Sequence, residues 1–309
     1  MTCPHQFMIY NAEQHSYKEL PLRYAELAEM YRKEKSGELS GLTRLMGFTL
    51  NYAHIICTPG QLEQEFLGVL DLAKFSLKAL GLDKNIWFRA SLRDKEKAKY
   101  LDNEKLWNES EKILLNILKK AGVKYETGIG DAAFYGPKAD IQIKNVHGKE
   151  ETLITMQIDL NSAERFDMVY IDGEGKKQRP MIIHRSAIGC IERTVAFLIE
   201  HYAGAFPTWL APVQIKIIPV GSAHLRYCQK LAQVFKDQNL RVEVDELNET
   251  VGYKIRKAEK QKVPYMLVIG DKEIKGKTLN VRHRDEEEVV KMAVKKFIER
   301  VKKEIENKK

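Results

Sequence analysis

The feature that most constrains this fold is a change of rhythm near the segment PTWLAPVQ, where Pro207 and Pro212 punctuate the chain. From Val213 onward the sequence alternates short apolar runs with helical stretches. QIKIIPVG leads into LRYCQKLAQVFKDQ, then RVEVDEL, then a second helix containing VGYKIRKAEKQK, then VPYMLVIGDKEI and TLNVRHR. A long helix follows from about Glu286, with Val290, Val294, Phe297, Val301 and Ile305 on one face. Strands alternating with helices in this way specify an α/β unit with a parallel or mixed sheet covered by helices. Before the change, the periodicity predicts helices around LPLRYAELAEMYRK, PGQLEQEFLGVLDLAKFSLKALG and NEKLWNESEKILLNILKKAG. Between them lie extended runs such as GFTLNYAHIIC, ADIQIKNV, ETLITMQIDL and MIIHRSA, with glycine-bearing turns IDGEGKK and NVHGK that read as hairpins. That pattern is α+β, an antiparallel sheet with helices packed on it. Two domains are expected, residues 1–208 and 209–309.

Charge divides at the same place. The net charge is +8, and residues 211–309 hold 23 lysines and arginines against 15 acids, while the preceding residues hold 28 against 28. A basic module joined to a neutral one suits contact with a polyanion, because neutralising phosphates is the main sequence-independent source of nucleic-acid affinity. A merely solvated face carries the same signature. Cys3, Cys57, Cys190 and Cys228 are scattered through 309 residues, which is not a disulfide framework, and reduced thiols with one metal ligand among them fit better. No apolar run approaches the roughly 18 residues of a membrane span, and the first segment lacks the basic-then-apolar order of a signal peptide, so a cytoplasmic protein with no membrane partner is expected.

Several residues have the chemistry of a site. Cys3, His54 and His184 are ligands of the kind zinc takes, but they lie far apart in sequence, so spacing alone does not define a centre. Three protein ligands would leave a fourth position open for a substrate. Arg32 and Glu34 in MYRKEKSGELSGLTR, Arg44 just beyond, and Arg193 in GCIERTVAFLIEH offer guanidinium forks matched to phosphate oxygens, although an arginine beside a glutamate is also an ordinary surface pair. GDAAFYGPK sets Phe134 and Tyr135 in a glycine-bounded turn, which suits a functional loop or a plain hairpin alike.

The strings MTCPH, SYKELPLRYAELAEMYRKEKSGELSGLTR, GFTLNYAHIIC, GDAAFYGPKADIQI, RPMIIHRSAIGCIER, HYAGAFPTWLAPVQ and VPYMLVIGDKEI occur in an order and spacing that resembles the threonyl-tRNA synthetase family, across essentially the whole chain. The resemblance implies a class II synthetase antiparallel sheet with motifs 2 and 3, followed by an anticodon-binding domain. It implies ATP-dependent activation of threonine to threonyl-adenylate and transfer to tRNA(Thr), with Mg2+ accompanying ATP and one Zn2+ held by Cys3, His54 and His184. In the family that zinc takes the amino and hydroxyl groups of threonine, and valine is rejected because it lacks the hydroxyl. Arg32 matches the motif 2 arginine at the α-phosphate, and Glu34 the motif 2 glutamate near the adenine. Phe48 matches the ring that stacks on adenine, and Arg193 the motif 3 arginine at the γ-phosphate. Tyr135 and Gln157 match residues lining the amino-acid and tRNA-end pocket. Asn248, Glu273 and Arg282 fall on positions that read anticodon bases, with Lys262 where some relatives have arginine.

The sequence also departs from the family pattern. GFTLNYAHIIC stands where GFTQDDAHIFC is common, so Leu50, Asn51 and Tyr52 replace polar residues. Tyr52 falls where an aspartate accepts the threonine hydroxyl's hydrogen bond, and a bulky neutral side chain there should weaken or reshape threonine selection. Met46 replaces an arginine usual near ATP, and Thr152 a glutamine. Motif 1, which builds the family's homodimer interface, normally precedes MTCP, and so does the editing domain of many relatives. The competing expectations are therefore an active threonine ligase, a fragment or synthetase-like protein that binds tRNA without activating an amino acid, and a ligase of altered amino-acid preference.

Overall fold

The computed structural model describes residues 2–97 and 99–308. Contacts divide them into two compact units, one ending at Phe197 and the other beginning at Leu198. In the first, α1 (Cys3–Asn11) and β1 (His15–Ser16) precede two long strands, β2 (Leu22–Tyr31) and β3 (Gly47–Cys57). Next come α2 (Leu62–Leu80), β4 (Ile86–Leu92), α3 (Glu104–Lys120), β5 (Tyr125–Ile129), β6 (Lys138–Lys144) and β7 (Glu150–Asp159). Then follow α4 (Ser162–Arg165), β8 (Tyr170–Ile171), β9 (Lys177–Gln178), β10 (Met181–Arg185) and α5 (Ile191–Tyr202). Seven strands form the main sheet in the order β2-β3-β10-β7-β6-β4-β5, antiparallel throughout except for the parallel pair β4/β5.

The helices follow from apolar spacing. In α2, Leu62, Phe66, Val69, Leu70, Ala73 and Leu77 recur at intervals of three and four and are all buried, and Gly81 ends the helix at a left-handed φ of 72°. Asn103 caps α3 by accepting a hydrogen bond from the Leu106 N–H at 3.1 Å. Both expected hairpins form. Asn145 and Asp172 use their side-chain oxygens to accept backbone N–H groups two and four residues on, which closes the turns.

LPLRYAELAEMYRK is not a helix. Its leucines, alanines and glutamates favour helix, but the same run alternates, and Leu22, Tyr24, Glu26, Ala28 and Met30 share the inward face of β2 while their neighbours are exposed. Ten residues pair with β3, and that ladder outweighs intrinsic propensity. α1 was not foreseen, although Cys3, Gln6, Phe7 and Tyr10 are buried at helical spacing.

The second unit comprises β11 (Ile215–Pro219), α6 (Leu225–Lys236), β12 (Val242–Val244), α7 (Val251–Lys260), β13 (Tyr265–Ile269), α8 (Asp271–Gly276), β14 (Thr278–His283), β15 (Val290–Ala293) and α9 (Val294–Glu306). Its sheet, in the order β12-β11-β13-β14-β15, is mixed, with parallel pairing up to β13 and antiparallel pairing beyond. The expected long helix from Glu286 begins only at Val294, because Val290–Ala293 pairs with β14 as an edge strand. The face is otherwise as read: Phe297 and Val301 are buried, and Val294 and Ile305 pack against the same core. Among the described residues no helix is long and apolar enough to cross a membrane.

Candidate active site

Register brings the site together. On β3, Tyr52 and His54 are two residues apart and so share a face. His54 stands opposite Tyr24 of β2 on one side and His184 of β10 on the other; His184 faces Gln157 of β7, and Gln157 faces Lys138 of β6. One row across five strands therefore carries two imidazoles, an amide and a lysine, from segments more than a hundred residues apart. Cys3 reaches the same place from the first turn of α1, held by a core of Phe7, Tyr10, Ala28, Tyr52, Ile56 and Ile182. The sulfur and the two imidazoles each offer a ligand atom, all within 4.8 Å of one another, and all three residues are buried.

The outer edges of both imidazoles are fixed. His54 Nδ1 lies 2.6 Å from the Gln6 carbonyl oxygen, whose own amide donates to Glu26 at 2.9 Å, and His184 Nε2 lies 2.6 Å from the Asp159 carboxylate. An imidazole that donates its outer N–H in this way turns its other nitrogen inward, so Nε2 of His54 and Nδ1 of His184 converge on the Cys3 sulfur. Burial disfavours charge on His184, but its hydrogen bonds to Asp159 and Cys3 outweigh this and raise it to about 9. Burial alone dominates at His54, aided by the neighbouring His184, and pushes it down to about 2. The Cys3 thiol is raised by burial, yet hydrogen bonds with His184 and Tyr52 bring it below its ordinary range. Phe7 packs on both rings, its centroid 4.8 Å from His54 and 6.3 Å from His184.

Beside the triad opens a cavity of about 520 Å³, lined by Cys3, Arg32, Glu34, Arg44, Phe48, Tyr52, Tyr135, Gln157, His184 and Arg193 among others. His54 does not line the cavity but touches it through His184, Nε2 to Nδ1 at 3.0 Å, while Phe134, Met46 and Asn51 are not part of its lining. Arg32 stacks on Phe48, 5.2 Å from guanidinium to ring centroid. Arg44 binds Glu34 at 2.9 Å and Glu38 at 3.2 Å, and its hydrogen bond holds the Glu34 carboxyl below the usual range. Arg193, on the first turn of α5, donates to the Thr43 carbonyl at 3.0 Å and the Thr152 carbonyl at 3.3 Å. Its neighbour Glu192 accepts the Thr49 N–H at 2.9 Å on both carboxylate oxygens, tying α5 to β3.

Two glycines allow close backbone approach. A Cβ on Gly136 would lie 1.7 Å from the Ile158 carbonyl oxygen, and one on Gly189, at φ +75°, 2.2 Å from that of Leu153. The Gly136 turn delivers Tyr135, which hydrogen-bonds Gln157, while Phe134 is left exposed. Sequence reasoning did not single out Gln6, Asp159 or Lys138. Gln6 lies one helical turn from Cys3, a signal that was available. Lys138 pairs with Asp140, a buried carboxylate that also accepts the hydroxyls of Ser91 at 2.6 Å and Thr155 at 2.7 Å. Nothing in the local sequence marks that cluster.

In the second unit, Lys262 and Arg282 line a smaller cavity of about 260 Å³ with His283, Arg284 and Glu259. Glu273 lies apart from it, at the start of α8, accepting the Gly270 N–H at 2.9 Å and the Asn280 amide at 2.6 Å. Asn248 is exposed before α7 and lines neither cavity.

Residues 1–202 match the model of the tRNA synthetase class II core domain (G, H, P, S and T), and residues 214–304 that of an anticodon binding domain. A structure titled the RNA binding domain of threonyl-tRNA synthetase from Cryptosporidium parvum superposes with a TM-score of 0.91 at 32% identity, covering 98% of this chain and 75% of that one. The chain belongs to the threonyl-tRNA synthetase family. Proteins named threonine–tRNA ligase from Clostridium botulinum (strain Eklund 17B / Type B) and Geobacillus sp. (strain WCH70) are each 49% identical to it, over 311 and 307 residues. These alignments cover 100% and 99% of this chain but 48% of each relative, so the chain spans about half the length of the curated relatives it matches. Membership in this family accounts for the fold of both units, an antiparallel synthetase sheet and a mixed-sheet anticodon module.

Proposed function

We propose that this chain takes part in threonine–tRNA ligation, with ATP and threonine meeting in the 520 Å³ cavity and tRNA(Thr) engaged by the basic second unit. The observation that carries this reading is the cavity in which Arg32, Arg44, Arg193 and the Phe48 ring adjoin a Cys/His/His cluster. Arg32 and Arg193 neutralise and orient the triphosphate, Arg44 reinforces them when phosphate oxygens compete with Glu34 and Glu38, and Phe48 offers its ring to the adenine while Glu34 borders it. Adenylate formation needs charge stabilisation and in-line placement more than a protein base, which suits fixed guanidinium groups. Mg2+ would arrive on the phosphates, a cation that keeps several waters and takes only one or two carboxylates from protein.

The donor chemistry at Cys3, His54 and His184 fits zinc. A thiol and two inward-facing imidazole nitrogens form a borderline-soft set, and Gln6 and Asp159 supply the outer hydrogen bonds that metal-binding histidines commonly have. Bound there, zinc would supply a Lewis-acidic point on the amino-acid side of the cavity. Tyr135 and Gln157, hydrogen-bonded to each other, shape the adjoining wall. In the second unit Arg282 and Lys262 address the anticodon loop from their shared cavity, with Asn248 and Glu273 contributing from outside it. We put the boundary between the two functions at residue 208, in the stretch that neither family model covers, and a cytoplasmic location accords with the reading.

The test is threonine-dependent exchange of pyrophosphate into ATP by this polypeptide, run beside serine and valine. Exchange above the no-amino-acid background is expected with threonine and should fall at least tenfold in Arg193→Ala, since losing one preorganised charge contact costs about 10²–10³ in comparable sites. Absence of exchange with every amino acid would leave a tRNA-binding role and overturn the ligase reading.

A further inference from the structure

The Tyr52 phenol enters the Cys3/His54/His184 cluster, and the distances around its oxygen show how. Oη lies 2.6 Å from His54 Nε2 and 2.8 Å from His184 Nδ1, and the two nitrogens are 3.0 Å apart. Three nearly equal edges make an almost equilateral triangle, so the oxygen stands beside the nitrogens as another corner and not between them. The Cys3 sulfur, 2.8 Å from the same oxygen, makes a fourth donor facing the common centre. His54, His184, Cys3 and Tyr52 are all buried, so no water shell offsets the crowding.

A count of hydrogens points the same way. The outer nitrogens of both imidazoles are committed to Gln6 and Asp159. Four short contacts remain inside, Sγ to Oη, Oη to each nitrogen, and nitrogen to nitrogen. The thiol and the phenol each bring one hydrogen, and even with a further proton on His184 the hydrogens are fewer than the contacts. A cation at the centre would satisfy all four donors at once.

We propose that the Tyr52 oxygen is the fourth ligand of a zinc ion held by Cys3, His54 and His184, closing a coordination sphere that three ligands alone would leave open. This rests on the zinc site proposed above. Four protein ligands in a tetrahedral set are the mark of a closed site, whereas an open fourth position is what a substrate needs. Threonine then gains the metal only by displacing the phenol or adding a fifth ligand, so this chain selects its amino acid with less help from the metal than a three-ligand site gives.

The experiment compares the full chain with Tyr52→Phe and Cys3→Ser, using Zn2+ and Co2+ as probes. Zinc content is measured by elemental analysis, affinity by chelator competition, and coordination by the visible spectrum of the Co2+ form. The wild type should hold one metal per chain with a four-coordinate cobalt spectrum that threonine barely alters. Tyr52→Phe should weaken zinc binding by about 10–100-fold, at least the loss seen when outer-shell partners of a metal are removed. Its cobalt spectrum should shift and become responsive to threonine. Ultraviolet difference spectra of the wild-type chain on adding Zn2+ give a readout that needs no variant: a tyrosine perturbation should saturate at one equivalent of metal. Zinc bound with unchanged affinity and cobalt spectrum in Tyr52→Phe, or no tyrosine perturbation, overturns the Tyr52 assignment while leaving the triad. Undiminished zinc in Cys3→Ser, or no metal taken up by the wild type, overturns the zinc site itself and this inference with it.

Discussion

The two units present their functional groups in opposite ways. In the first, the side chains around the cavity are assembled by strand register and tied down before any ligand arrives: His54 to Gln6, His184 to Asp159, Arg193 to two backbone carbonyls, Arg44 to Glu34 and Glu38. In the second, Asn248 and Lys262 are exposed on turns, and the basic excess is spread over helix and loop surfaces. A preorganised pocket suits chemistry on small substrates, where misplacement by an ångström is costly. An adaptable basic surface suits a polyanion that brings its own shape.

The largest expected effect tests how tightly the first unit is built. Gly136→Ala would force a methyl against the Ile158 carbonyl and should destabilise by about 3 kcal/mol. In the second unit Gly252 lies in α7 with its nearest neighbour, the Arg256 guanidinium, 3.6 Å from an added Cβ, so Gly252→Ala should leave stability unchanged or raise it by about 0.5 kcal/mol. Thermal melts of the two variants check the pair, and similar losses in both would break the contrast.

A smaller effect is expected on the binding side. Arg282→Ala should cost about 1–3 kcal/mol in tRNA binding and relax discrimination among altered anticodons, whereas Lys262→Ala should weaken all tRNAs equally and lower the salt slope by about one. Filter binding across a salt series separates the two, and a uniform loss for Arg282→Ala would reduce it to a phosphate contact.

The smallest effect sharpens the contrast by showing that exposure, not membership of a unit, sets the cost. Asp172 closes a surface hairpin, and the Gln178 amide and the Lys176 and Glu174 N–H groups hold its carboxyl below the usual aspartate range. A folded-state value depressed in this way contributes stability above the ordinary aspartate range, and the contribution fades as pH falls through the folded value. Asp172→Asn should therefore lower Tm slightly at neutral pH and by less in acid. A deficit that grew on acidification would contradict the assignment.

Strand alternation and helical spacing made most of the architecture legible before the structure, including both hairpins and the strand–helix order of the second unit. Where reading failed, a tertiary ladder had overruled local preference. β2 has a helix former's composition, and Val290–Ala293 continues an apolar helical face yet pairs with β14. Site residues were legible as types in motifs, but their meeting was not, since nothing in sequence fixes that His54, His184 and Gln157 lie side by side on three neighbouring strands. Tyr52 was recognised as a departure and read as bulk. The place of its oxygen, within 2.8 Å of Cys3, His54 and His184, became visible only with the distances.

ATP and threonine are proposed to meet in the cavity between the arginines and the Cys/His/His cluster. The most direct test is a crystal structure of this chain soaked with a non-hydrolysable threonyl-adenylate analogue. The adenine is expected on Phe48, the phosphate mimic at Arg32, and the threonyl end beside Cys3, His184 and Tyr52. Analogue bound outside this cavity, or a cavity left empty at saturating analogue, would contradict it.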